Sequence, residues 1–209
     1  APDSIDASYP CRGGILAQAV GSGKTFEIIK LIQEQKKSFR VKGPTLIIVP
    51  TSIISIWSAE LDKFASDLTV NVYHGSRRVW KDSDIVITTY RILSNEFKTI
   101  TSPLFQNGLW ARIVCDEAHQ LKVNTKTFKS LKGLIAPIKW CVTATPFGKH
   151  LIDSTALLSF LNIYPFNKTN TRYSKLHNFL LWGETDLPIG EYLIKMFENI
   201  CLYQTKNDI

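Results

Sequence analysis

Cysteine is scarce in this chain, with four in 209 residues. Cys11, Cys115, Cys141 and Cys201 lie far apart, without the paired spacing of a zinc site and too few for a disulfide framework. They fit a reducing, intracellular setting. Long apolar runs are lacking as well: no stretch approaches the roughly 20 uninterrupted apolar residues of a membrane span, so no membrane partner is expected. The basic and apolar regions of a signal peptide are missing, and the chain opens at Ala1 rather than at a methionine, which reads as a piece of a longer polypeptide. Acid is what one long segment lacks. Between Gln120 and Leu180 the bases Lys122, Lys126, Lys129, Lys132, Lys139, Lys149, Lys168, Arg172 and Lys175 face the lone acid Asp153, in a chain of net charge +7. This bias suits a polyanionic partner or a solvated basic face, and charge alone leaves both open.

What is present is ordinary globular composition, 44% apolar and 21% charged, at a length that suits one sizeable α/β domain. Apolar, β-branched runs alternate with segments of helical period. The runs Gly14–Ala17, Thr45–Val49, Thr69–Tyr73, Ile85–Thr88, Arg112–Cys115 and Trp140–Thr143 are mostly continuous, as strands of a parallel sheet covered on both faces must be. Helices are predicted over Thr25–Lys37, which carries Phe26, Ile29 and Ile32 at helical spacing, and over Ser52–Phe64, which carries Ile53, Ile54, Trp57, Leu61 and Phe64. After Pro165 the pattern loosens. A break at Leu187-Pro188, an amphipathic helix over Ile189–Asn199 and an extended Cys201–Thr205 follow, so residues 1–165 read as the domain and 166–209 as an appendage leading out of it.

Four polar stretches each follow a predicted strand. In "GSGKT", Gly21 and Gly23 permit a tight turn whose backbone N–H groups and helix N-terminus attract phosphate. Lys24 would then reach β- and γ-phosphates, and the Thr25 hydroxyl would sit on Mg²⁺. The full pattern places another glycine where this chain has Gln18, and a Gly/Ser turn before a helix also occurs for purely structural reasons. In "DEAH", Asp116 and Glu117 stand where an acid supporting Mg²⁺ and a water-orienting base belong, although an acidic pair can also merely cap a helix. "PTS" at 50–52 and "TATP" at 143–146 complete the set. Open parallel sheets gather ligands at the carboxyl ends of their strands, and four such stretches converge there.

The ordered stretches "GGILAQAVGSGKT", "LIIVPTSIISIWSAEL", "DIVITTY", "VCDEAHQLK" and "CVTATPFGKHLIDSTALLSFL" resemble the first RecA-like lobe of superfamily-two helicases. Within that superfamily they are similar to the Swi/Snf-type double-stranded DNA translocases, over about residues 13–165. The proline-rich entry and "DIVITTY" also resemble the ring-finger-bearing DNA-repair branch, and "CLYQTKNDI" resembles the passage toward a second lobe. The resemblance implies a RecA-like P-loop domain, with a mainly parallel sheet flanked by helices, that binds and hydrolyses ATP with Mg²⁺. Gly21, Ser22, Gly23, Lys24 and Thr25 would hold the phosphates and metal, Asp116 would support Mg²⁺, and Glu117 would position the attacking water. His119 and Thr143–Thr145 would couple hydrolysis to DNA. Pro50, Thr51, Ser52, Thr88, Thr89 and Tyr90 would touch the phosphates of the tracked strand, a positioning role without sequence readout.

The implied partners are double-stranded DNA, a second RecA-like lobe of the same polypeptide, and chromatin or repair proteins. The implied location is nuclear in a eukaryote and cytoplasmic otherwise. Residues 1–209 would hold only the first lobe and hydrolyse little ATP by themselves. The family usually has two acids where this chain has Gln18-Ala19, a glycine at Ala144 and a leucine at Ser22. An RNA helicase lobe, an unrelated P-loop ATPase, and a degenerate lobe that binds DNA or a partner without hydrolysis are the other readings. His74, His150 and His177 have no ligand-like neighbours in sequence and read as surface or core residues. Trp57, Trp80, Trp110 and Trp140 read as core packing.

Overall fold

The computed structural model describes residues 12–37, 43–106, 108, 110–146, 154–163, 166 and 197–204. Seven strands form one sheet: β1 (Arg12–Gln18), β2 (Thr45–Val49), β3 (Val70–Val72), β4 (Ile85–Thr89), β5 (Arg112–Asp116), β6 (Ile138–Thr143) and β7 (Cys201–Gln204). Every pairing is parallel, in the order β3-β4-β2-β5-β6-β1-β7. The helices bounded within the described residues are α1 (Lys24–Lys37), α2 (Ile54–Phe64), α3 (Tyr90–Glu96), α4 (Pro103–Gln106), α5 (Lys126–Lys132) and α6 (Thr155–Phe160).

The continuous apolar runs have a simple physical origin. Successive side chains of a strand point to opposite faces, and here both faces are covered. Leu16, Ile47, Val49, Ile87, Val114 and Val142 pack against Ile28, Ile29 and Ile32 of α1 and Trp57 and Leu61 of α2. Their neighbours Ile15, Ala17, Leu46, Ile48, Ile113, Cys115 and Cys141 meet Ile92 and Leu93 of α3, Phe128 and Leu131 of α5, and Leu157, Leu158 and Phe160 of α6. The tryptophans follow the same logic. Trp57 and Trp110 are buried, and Trp80 stands edge-on to Tyr73 and Trp110 at ring separations of 5.7 and 6.2 Å.

The tail behaves differently from a simple exit. Cys201–Gln204 returns to the sheet and pairs in parallel with β1, Ile15 opposite Cys201 and Gln18 opposite Gln204. Gly14 of β1 makes that approach possible, because a Cβ there would lie 2.4 Å from the Ile200 carbonyl oxygen. The helix expected over 189–199 lies largely outside the described residues, of which 197–200 are helical.

The topology positions the site. Gln18, Val49, Thr89, Asp116 and Thr143 all end their strands on one edge, and β5 and β6 fill the space between β1 and β2. The four polar stretches therefore share one rim of the sheet.

Candidate active site

The turn from β1 to α1 holds Gly21 at φ +83° and Gly23 at φ +97°. A Cβ at either glycine would meet nothing within 4 Å, so the requirement is conformational rather than spatial: other L-residues adopt these angles only under strain. The first backbone bond of the helix joins Glu27 N–H to Gly23 O at 3.0 Å. The N–H groups of Gly23, Lys24 and Thr25 therefore precede the intrahelical ladder, as the first donors of a helix do, and form a cradle for an anion.

Lys24 Nζ donates to Gln18 O (2.9 Å) and Ala19 O (2.7 Å), which folds the ammonium over its own turn. Burial lowers its pKa, and the charges of Asp116, Glu117 and Glu27 oppose the drop. The lysine thus feels the carboxylates of "DEAH" although one strand, β6, separates β1 from β5.

The two acids differ in environment. Asp116 is buried; its Oδ2 accepts from Trp57 Nε1 at 2.7 Å and its Oδ1 from Glu117 N–H at 2.8 Å. Burial raises its pKa, and these two donors and Lys24 pull it back. Glu117 is half-exposed and left-handed at φ 50°, ψ 42°, a strained conformation for a non-glycine residue of the kind that gathers at functional sites. Its Oε2 lies 3.2 Å from His119 Nδ1. That nitrogen is also 3.1 Å from Thr143 Oγ1, which accepts from Thr145 N–H at 3.1 Å. A continuous chain of polar contacts thus runs from Glu117 to the exposed Thr145.

The remaining predicted residues divide by accessibility. Pro50 precedes a 3₁₀ turn, Thr51–Ile53, in which Thr51 and Ser52 are exposed. Thr88 and Thr89 are buried: the Thr88 hydroxyl donates to Tyr73 O at 3.0 Å, and the Thr89 hydroxyl caps α3 by accepting from Ile92 N–H at 3.2 Å. Tyr90 donates its hydroxyl to Asp116 O at 2.7 Å. His74 is half-buried, whereas His150 and His177 lie outside the described residues.

Sequence reasoning missed three partners. Trp57 is core, as its period suggests, but its indole N–H also holds Asp116 from 59 residues away. A buried tryptophan needs an acceptor, and that is the one signal the sequence carried. Replacing Trp57 with Phe keeps most of the apolar volume and removes a hydrogen bond to a charged group. The loss is expected to be about 1.5–3 kcal/mol of stability, read from urea unfolding; an unchanged midpoint would show that Asp116 does not depend on the indole.

The other two partners surround Gln18. Its Nε2 donates to both carboxylate oxygens of Glu27 (2.9 and 3.1 Å), and its Oε1 accepts from Ser22 Oγ at 2.9 Å. An acid at position 18 would instead face Glu27 with like charge. The departures at Gln18 and Ser22 therefore form one hydrogen-bonded set that ties the loop to α1.

The donor set suits a hard cation: a hydroxyl at Thr25 and a carboxylate at Asp116, with no cluster of three or more His, Cys, Asp or Glu capable of caging a metal among the described residues. Mg²⁺ is held in this fashion, by one or two protein oxygens together with substrate phosphates.

Comparison with known proteins matches residues 7–209 to a family described as SNF2-related domain. DNA repair protein RAD5B of Arabidopsis thaliana is 33% identical over 198 residues, covering 77% of this chain and 16% of that protein. DNA repair protein RAD5A of the same plant is 37% identical, covering 74% and 21%. Helicase SWR1 of Debaryomyces hansenii is 29% identical, covering 81% and 11%. Among solved structures, the Sulfolobus solfataricus SWI2/SNF2 ATPase core in complex with dsDNA superposes with a TM-score of 0.74 at 30% identity, covering 93% of this chain and 40% of that one. The chain spans 11–21% of the length of these three curated relatives.

Proposed function

Because the chain belongs to the SNF2-related family, we propose that it is the nucleotide-binding lobe of an ATP-driven motor that moves along double-stranded DNA in repair or chromatin remodelling. The observation that carries this reading is the convergence of the Gly21–Thr25 turn, the Pro50–Ser52 turn, the Asp116–Glu117 pair and Thr143–Thr145 on the carboxyl rim of one parallel sheet. The similarity to two RAD5 proteins favours the repair branch, and that to the SWI2/SNF2 core with dsDNA favours duplex as the track. The location that goes with such work is the nucleus.

The N–H groups of Gly23, Lys24 and Thr25 and the ammonium of Lys24 bind the phosphates of ATP. Thr25 and Asp116 would hold Mg²⁺, which would supply positive charge to the transferred phosphoryl group. Asp116, buried and fixed by Trp57, keeps its place; Glu117, half-exposed beside it, is the carboxylate that solvent can reach and accepts the proton of the attacking water. His119 and Thr143 connect that base to Thr145. The exposed hydroxyls of Thr51, Ser52 and Thr145, with the backbone at Pro50, meet DNA phosphates, while Thr88, Thr89 and Tyr90 hold the ends of β4 and β5 in position. The body of this lobe, read from the sequence as residues 1–165, also takes in Cys201–Gln204, the strand beside β1.

The deciding experiment pairs nucleotide binding with DNA stimulation in the full-length protein. Lys24→Ala is expected to abolish binding of a fluorescent ATP analogue and phosphate release together, since it removes the ammonium folded over the Gly21–Thr25 turn. Unchanged affinity and turnover would remove the assignment. Duplex affinity, in turn, should be independent of base sequence and fall with salt at a log–log slope of about −0.9 per phosphate contacted. A flat salt response in filter binding, or a marked preference for one sequence, would contradict phosphate tracking.

A further inference from the structure

The β1–α1 turn carries one side chain between its two positive-φ glycines, that of Ser22, and Gln18 holds it. Glycine gives up more conformational freedom on ordering than any other residue, so a Gly-Ser-Gly turn is costly to fix unless a contact outside its backbone fixes it. Gln18 ends β1 with only 6% of it exposed and reaches the turn through both main chain and side chain. Its carbonyl oxygen accepts from Lys24 Nζ at 2.9 Å. Its side-chain Oε1 accepts from Ser22 Oγ at 2.9 Å, and its Nε2 donates to both carboxylate oxygens of Glu27, in the first turn of α1, at 2.9 and 3.1 Å.

Position 18 calls for a group that donates and accepts at once. An amide does so, whereas a carboxylate only accepts and an aliphatic chain does neither. Glu27 also fixes the sense of the amide, because in the reverse orientation the amide oxygen would stand against the carboxylate. The end of β1, the middle of the turn and the first turn of α1 are thereby joined through one side chain. The two acids across the rim have partners of their own, Asp116 in Trp57 and Glu117 in His119.

We propose that Gln18 is a positioning residue that pre-forms the phosphate-binding turn, so that ATP meets a turn already ordered. The inference rests on the reading of Gly21–Thr25 as the phosphate site. Preorganisation of this kind strengthens binding by removing the cost of ordering. It favours the bound ground state and the transition state alike, and therefore shows in ATP affinity and not in the turnover of the bound complex.

A double-mutant cycle in the full-length protein tests it, read as the Kd of a fluorescent ATP analogue and the kcat of phosphate release with duplex DNA. Gln18→Leu and Ser22→Ala are each expected to weaken binding about three- to tenfold, the loss of a hydrogen bond, with kcat within about twofold of wild type. Combined, they should weaken it by no more than about twofold beyond Gln18→Leu alone, because both remove the same contact. Gln18→Glu sets like charge against Glu27 and should weaken binding more than about tenfold. Adding Glu27→Gln to it returns a donor facing an acceptor, and binding should recover to within about threefold of wild type. Ser22→Ala, at a turn position outside the core, decides the matter if Gln18→Leu fails to unfold cooperatively in urea. Wild-type protein that binds no nucleotide would remove the ATP reading and this inference with it. With wild-type binding intact, an unchanged Kd in Gln18→Leu or Ser22→Ala, a fall in kcat at unchanged Kd, additive losses at the two positions, or no recovery in the exchanged pair would each overturn the positioning role alone.

Discussion

Glu117→Gln is expected to leave ATP binding within about twofold of the wild type while slowing hydrolysis by about 10²–10⁴, the usual contribution of a positioned general base. The amide has the same shape, so neither the left-handed backbone at Glu117 nor the burial of Asp116 need change. What disappears is the charge that accepts the proton from water and faces His119 Nδ1 at 3.2 Å. Fluorescence titration with a labelled nucleotide and phosphate release, measured on the same preparation of the full-length protein, separate the two effects. Equal turnover in variant and wild type would show that another group orients the water, and Asp116 would be the next carboxylate to test.

Residues 1–209 by themselves should show negligible DNA-stimulated ATPase activity, rising about 10³–10⁵-fold when a second lobe supplies arginine to the γ-phosphate, as arginine fingers do in other phosphoryl-transfer systems. Four of the described arginines, Arg12, Arg78, Arg91 and Arg112, accord with this expectation. Arg12 and Arg112 open β1 and β5 at the edge away from Lys24. Arg78 is tied to Glu96 through Nε at 2.6 Å. Arg91 lies in α3 after β4, and β4 is four strands from β1, about 19 Å at ~4.8 Å per strand, beyond the span of an arginine side chain. Phosphate release from the purified 209-residue chain, with and without duplex, measures this directly. Brisk stimulated turnover would mean that the site is complete within one lobe, and the motor reading would give way to a self-contained P-loop ATPase.

The parts of this protein legible in its sequence are those encoded locally. Continuous β-branched runs predict Thr45–Val49 and Ile85–Thr88 as buried parallel strands because both faces of such strands must be apolar; the first is observed at those bounds and the second extends to Thr89. A positive-φ glycine turn before a helix, and a pair of acids after a strand, are likewise signals of adjacent residues. The hydroxyls at Thr88 and Thr89 were legible as residue types but not as buried ones, since which threonine reaches solvent depends on the strand's neighbours.

Contacts between distant segments were decided by the tertiary structure alone. No periodicity connects Trp57 to Asp116, 59 residues on, or Thr45 to Arg112, 67 residues on; the strand order β2-β5 brings the second pair together. Nor does any local pattern say that Cys201–Gln204 returns to lie beside β1. The sequence by itself determined the α/β class, the phosphate-type turn at Gly21–Thr25 and the candidate acids, because helix and strand preferences and turn chemistry act over a few residues. The division of labour between a buried Asp116 and a half-exposed Glu117 and the Gln18–Ser22–Glu27 set were set only in the folded chain, because burial and hydrogen-bond partners exist only once the sheet has ordered its strands.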